Sequence, residues 1–248
     1  MWLNGEDASW TDALQAASEG GPVVLPFGAF EQHGPHLPLS TDTAMAAELA
    51  RRVAQAIGAF LLPAVAFGET SSNDGFPGTV SLSFDTVRAI ALDICKGVRR
   101  CGFQSLIVVN GDFGNQAPLR LAAREALTQM EWPMLVIDYP GLAEVAAEIC
   151  ESLPAGSGLY HADELETSVM LALRPAAVHP DRVEAEYPSL PATFGSVPSR
   201  LRELSRTGVF GDPRVASAKK GELILDALTE RAVAVSRAFL GAGAAKSE

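Results

Sequence analysis

The stretch Leu25–Thr43 reads LPFGAFEQHGPHLPLSTDT. It opens on apolar residues that continue from Val23 and Val24, with Gly20-Gly21 before them and Gly28 after. Val23 to Phe27 therefore reads as a short buried strand. The next residues hold three prolines, counting Pro26, and two glycines, too many for one helix or strand. They also hold Glu31, His33, His36 and Asp42, including two of the chain's four histidines. Helical periodicity starts at Asp42: Met45, Leu49, Val53 and Ile57 fall on one face, and Gly58 ends the run.

The same alternation continues outward. Phe60 to Val65 is a second strand candidate, and Phe84 to Cys101 a second helix. Ser105 to Val109 is the plainest strand, followed by a helix from Asn115 to Met130. Met134 to Ile137 is a further strand, and Leu142 to Cys150 a short helix. Leu165 to Leu173 and a long amphipathic run, Gly221 to Leu240 within about 220–242, complete the helices. Strand and helix in alternation predict an α/β fold with a mostly parallel central sheet and helices on both faces. The segment 174–213 is Pro-rich and irregular, read as a surface excursion or a lid. The tail GAGAAKSE is expected to fray. A chain of 248 residues suits one large domain.

In an open parallel sheet, ligands bind beyond the carboxyl ends of the strands. The loops predicted there are 28–41, 68–79 and 110–115 (NGDFGN), and they carry the polar, Gly-rich chemistry of the chain. A net charge of -11 argues against nucleic acid and against anionic membrane as partners. No apolar run approaches the ~18 residues of a membrane span, and MWLNGEDASW lacks the pattern of a secretory leader. The expected location is cytoplasmic. Cys95, Cys101 and Cys150 have no metal-knuckle or disulfide spacing and are read as small buried hydrophobes in a reducing compartment.

Glu31 and His33 are two apart, so in extended chain both face one side. With Asp42 they form a mixed oxygen and nitrogen set that suits Zn²⁺, Mn²⁺ or Fe²⁺ over Ca²⁺. Taken singly, each has an ordinary alternative: Asp42 suits a helix N-terminus, and a lone histidine is often a satisfied packing residue. His161 to Ser168, HADELETS, places a histidine beside Asp163, Glu164 and Glu166. A helix dipole accounts for acids there but not for His161. Asp112 lies between glycines that let backbone approach a ligand, although Asn-Gly also marks any tight turn. His179 is given no role.

These segments together resemble the creatininase (creatinine amidohydrolase) family. Leu25 to Asp42 follows its signature L-P-x-G-x-x-E-Q-H-G-x-H-L-P-x-x-T-D closely. FPGT at Phe76 to Thr79, N-G-x-x-G-N at Asn110 to Asn115 and H-A-x-E-x-E-T-S at His161 to Ser168 follow in order. The resemblance implies a three-layer α/β/α sandwich assembled as a homo-oligomer, often a hexamer, with one or two divalent metals (Zn, Mn or Fe) per chain. It implies that Glu31 binds one metal and His33 the other, that Asp42 bridges them, and that Glu166 completes the second metal's coordination. It implies catalytic roles for His161, with His36 in the same pocket and Glu164 beside them. Two departures bear on it. The family motif N-G-H-G-G-N has a ligand histidine where this chain has Asp112, and a glycine where it has Phe113. A family Glu-His pair is replaced by Ser72 and Asn73. Ser72, Asn73, Phe76 and Phe113 are therefore candidate substrate contacts, and Asp112 a candidate ligand favouring harder ions.

The function implied is metal-dependent hydrolysis, or closure, of a C–N bond in a small cyclic amide, formamide or similar metabolite. Two other readings stand beside it. One is a non-hydrolytic enzyme acting on a polyol or ketone, with Asp112 as base. The other is an inactive binding or scaffold subunit.

Overall fold

The computed structural model describes residues 2–156 and 158–244. Its centre is a five-stranded sheet in the order β1-β3-β2-β4-β5, with β1 Leu3–Asn4, β2 Val23–Phe27, β3 Phe60–Leu61, β4 Leu106–Asn110 and β5 Met134–Asp138. Every adjacent pair is parallel. Phe27 pairs with Asn110, and Asn110 with Asp138, so the three longest strands end on one rim. Val23 to Phe27 and Leu106 to Asn110 are buried throughout, as strands covered on both faces must be.

Alternate residues feed two cores. Val24, Ile107, Val109 and Ile137 pack against α2 (Thr41–Ile57), α5 (Leu142–Ile149), α6 (Glu164–Leu173) and α8 (Ala218–Ala244). Val23, Leu25, Phe27, Leu106 and Val108 pack against α1 (Trp10–Ser18), α3 (Phe84–Arg100) and α4 (Gln116–Met130). This is the three-layer α/β/α sandwich. The chain leaves β2 toward one face and β4 toward the other, so the crevice between their ends is the topological switch point of the sheet.

Several sequence expectations change. The N-terminal segment, read only as polar, holds β1 and α1. Ser9 caps α1 in a capping box with Asp12; Ala17 is its one fully buried residue, while Trp10 and Leu14 stay exposed. The second strand stops at Leu61, and Val65 returns only as a single bridge to Phe27. Cys95 is buried as expected, whereas Cys101 is exposed and Cys150 half-buried; all three are free thiols. Of the tail, Gly241 to Ala244 extends α8, and 245–248 lie outside the described residues.

The Pro-rich segment carries short 3-10 turns and α7 (Leu201–Leu204). It is held down by Glu186, which accepts from Ser205 Oγ and the Arg206 and Thr207 amides, and by Arg202, whose guanidinium lies 5.0 Å from the centre of the Phe76 ring. Among the described residues, no helix is long and apolar enough to cross a membrane.

Candidate metal centre

The loop after β2 closes on itself through Glu31 N donating to Leu39 O at 3.0 Å. Its neighbour, the 68–80 loop, is tied to it by Val80 N to Phe30 O and by Gln32 N to Thr79 Oγ1. Asp42 stands in the first turn of α2, directly behind. Asp112 comes from the loop after β4, which approaches so closely that a Cβ at Gly111 would sit 2.5 Å from Asp42 O. Only glycine permits that approach. Glu166 comes from the first turn of α6, whose N-cap Asp163 accepts from Leu165 N and Glu166 N. Ala162 links His161 to this cap at φ 51, a left-handed conformation that only its surroundings sustain.

These elements bring six side chains together. Three overlapping groups have candidate ligand atoms within 4.8 Å of one another: Glu31, Asp42 and Asp112; His33, Asp42 and Glu166; and Glu31, His33 and His161. His33 Nδ1 donates to Glu31 O at 3.1 Å, which leaves Nε2 facing Asp42 Oδ1 at 3.1 Å and Glu166 Oε2 at 3.7 Å. A backbone carbonyl behind the ring is the usual support of a ligating histidine. Asp42 Oδ2 and Asp112 Oδ2 are buried with no hydrogen-bond partner among the described residues. Such atoms are costly unless something fills the space between them.

The electrostatics agree. Burial pushes Glu31 well above the carboxylate range, and Asp112 and Asp42 push it further. Burial and then Asp42 do the same to Asp112. Glu166 is pushed up to about 8 by burial, against His33 and with Asp42. Burial alone would lower His33, but Asp42 and Glu166 outweigh it and hold the ring charged. Carboxylates this close lack positive charge, and a divalent cation supplies it. The donor set fits a divalent metal centre.

Around the cluster, Gln32 connects three parts. Its oxygen accepts from Gly34 N, and its nitrogen points at Asn73 Oδ1 (2.6 Å) and His161 Nε2 (2.7 Å). Asn73 in turn donates to Glu31 Oε2 at 2.8 Å. Burial and then His33 keep His161 well below the ordinary imidazole value, hence neutral, with Nδ1 3.8 Å from Glu31 Oε1.

The expected site residues separate into those the fold gathers and those it does not. Glu31, His33, Asp42, Asp112, His161 and Glu166 converge. Ser72, Asn73 and Phe113 line an outer cleft of about 700 Å³, closed on its far side by Phe194 to Leu201. His36 lies behind the cluster, fully buried: its Nε2 pairs with Thr167 Oγ1 at 2.9 Å, and burial lowers it to about 4. Phe76 lies beneath Arg202 instead of in the cavity walls. Glu164 turns away altogether. It accepts from Lys220 Nζ at 2.6 Å and from the Glu151 and Ser152 amides, the arrangement of a structural ion pair.

Two contributors were not foreseen. Gln32 carries no signal beyond its place between Glu31 and His33. Tyr139, just past β5, lines an inner cavity of about 180 Å³ with Met45, Leu142 and Leu165, on the same cluster.

Fold and cluster together define an α/β/α protein with a candidate divalent metal centre. The profile of the family Creatininase, described as creatinine amidohydrolase, matches residues 6–236. The chain is 32% identical over 238 residues to a creatinine amidohydrolase of Pseudomonas putida, covering 89% of this chain and 90% of that one. It is 31% identical over 243 residues to a mycofactocin precursor peptide peptidase of Mycobacterium tuberculosis, covering 92% and 89%. Among solved structures, a mutant creatininase of Zn–Zn type superposes with a TM-score of 0.86 at 27% identity, over 96% of this chain and 99% of that one. The chain belongs to the creatininase family.

Proposed function

We propose that the protein hydrolyses a C–N bond in a small cyclic amide, formamide or related metabolite, or closes that bond in reverse. The observation that carries this is the pair of orphaned buried oxygens, Asp42 Oδ2 and Asp112 Oδ2, inside a ring of four carboxylates and two imidazoles. Glu31, Asp42 and Asp112 would hold one ion, and His33, Asp42 and Glu166 a second, with Asp42 shared. Zinc, manganese or iron suits these donors, and the three carboxylates around the first position favour manganese there. Bound divalent ions supply Lewis acidity and lower the pKa of a bound water.

The chain's own groups do the rest. Asn73 and Gln32 fix Glu31 and His161. His161, neutral and facing the outer cleft, moves the proton between water and the leaving nitrogen. The two cavities meet at the cluster, so the amide lies where they join.

A second reading concerns substrate size. The outer cleft falls within the roughly 300–1,000 Å³ of sites for drug-sized ligands. That favours an acyclic, peptide-like amide over a compact ring, and one relative is named as a precursor-peptide peptidase. We place the chain as one domain working as a homo-oligomer. Trp10 and Leu14, four apart on α1 and 78% and 58% exposed, offer apolar surface for assembly; light scattering reads the mass.

Elemental analysis of protein purified without chelator tests the function. About two ions per chain, as proposed, with chelator-sensitive hydrolysis of cyclic amides, formamides or short peptides, is the expected result. Full activity after exhaustive chelation would overturn it.

A further inference from the structure

Tyr139 is a half-buried residue whose buried hydroxyl the cluster leaves unexplained. It follows the last residue of β5, at the rim where the strands end. Its φ is 37, in the left-handed region that tyrosine avoids, at a cost of roughly 1–3 kcal/mol. The turn is locked on both sides: Asp138 accepts from Asn110 Nδ2 at 2.8 Å and from Arg120 at 2.6 Å, and Leu142 N closes on Tyr139 O at 3.2 Å. The fold thus holds the ring in one place. That place is the wall of the inner cavity, beside Asp42, Asp112 and Glu166. The hydroxyl is buried and has no hydrogen-bond partner among the described residues.

An unpaired O–H donor on strained backbone, lining the same cavity as the cluster, is an arrangement that can stabilise developing negative charge on oxygen. We propose that Tyr139 is the donor to the substrate's carbonyl oxygen, holding the amide in register with the cluster and stabilising the oxyanion as water adds. The donor keeps its proton throughout; one hydrogen bond tightens and no bond to Tyr139 breaks. This rests on the hydrolase reading above for its turnover arm only.

Tyr139→Phe removes the one oxygen and keeps the ring and its backbone demands. Three readouts decide. With a hydrolysed amide, kcat falls about 10²-fold, the usual loss of one oxyanion donor, while KM and metal content hold. Melting temperature stays level or rises, because the lost hydroxyl was unpaired. In zinc-loaded protein, calorimetric titration with acetohydroxamate, an oxyanion-bearing probe, shows about tenfold weaker binding, the worth of one hydrogen bond to a charged group. The proposal is overturned if kcat and probe affinity are unchanged. It is also overturned if metal is lost, which makes the hydroxyl a ligand, or if the variant unfolds or melts much lower, which makes it structural. Should the wild type turn over no amide at all, the functional reading fails, yet the probe titration still decides the role of Tyr139.

Discussion

Helix α6 carries two carboxylates two residues apart, and they live in opposite worlds. Glu164 meets a cation and two amides, and these outweigh burial to hold it below the usual carboxylate range. Glu166 is pushed up to about 8 by burial; His33 at 3.7 Å and a single amide pull it down, but Asp42 and Asp163 add to the rise. Two helical steps turn the chain by about 200°, so one helix turn serves both. The first region is an ion pair complete in itself. The second is a set of anions short of positive charge, and that shortage distinguishes a metal centre from a structural one.

Removing Asp42, the proposed shared ligand, gives the largest break in this contrast. Asp42→Asn is expected to abolish metal retention through gel filtration and with it all hydrolysis. The same change should raise the melting temperature of the metal-free protein, because Asp42 pushes up Glu31, Asp112 and Glu166. Next in size, His161→Ala should lower kcat by roughly 10²–10⁴-fold with metal content intact; loss of metal would reassign His161 as a ligand.

The structural partner should answer differently. Lys220→Met leaves Glu164 buried beside backbone amides alone, at a cost of about 3 kcal/mol in urea unfolding, with kcat per folded molecule unchanged. The pH slopes should also oppose. In metal-free protein, Glu166 holds a proton up to about 8 that the unfolded chain loses near 4.3. Stability contributed there is full below the unfolded value and falls as pH rises through the folded one. Glu164 has the reverse sign: its share is present above the unfolded value and lost as pH falls through the lowered folded one. Urea midpoints across pH, with and without zinc, read both, and added zinc should cancel the alkaline loss. The smallest effect belongs to Arg202→Ala, which gives up a contact with Phe76 worth about 0.5–1 kcal/mol and loosens the cleft wall, seen as a raised KM.

How far the sequence foretold this depends on the residue. Val23 to Phe27 and the strand beginning at Leu106 were legible because burial on both faces needs an unbroken apolar run. The convergence of Glu31, His33 and Asp42 was legible from one loop, and Glu166 from its motif. Glu164 was misplaced because its motif says that acids gather there, not which way each faces; the 200° between them holds the answer. β1 was missed because two residues leave no periodic trace, and α1 because its apolar positions, Trp10, Ala13, Leu14 and Ala17, are mostly small or exposed. Tyr139 was missed because its importance lies in a φ angle and an empty hydrogen-bond position, neither of which has a signature in residue type.

The outer cleft is lined by Phe194 to Leu201 of the Pro-rich segment, while the candidate metal ligands come from the sheet rim and two helices. Reagent and selector are thus built from separate stretches of chain. Descendants of such a gene can exchange the selector by drift or recombination and leave the reagent untouched. The same division gives an engineer a single loop to randomise when a new amide is wanted.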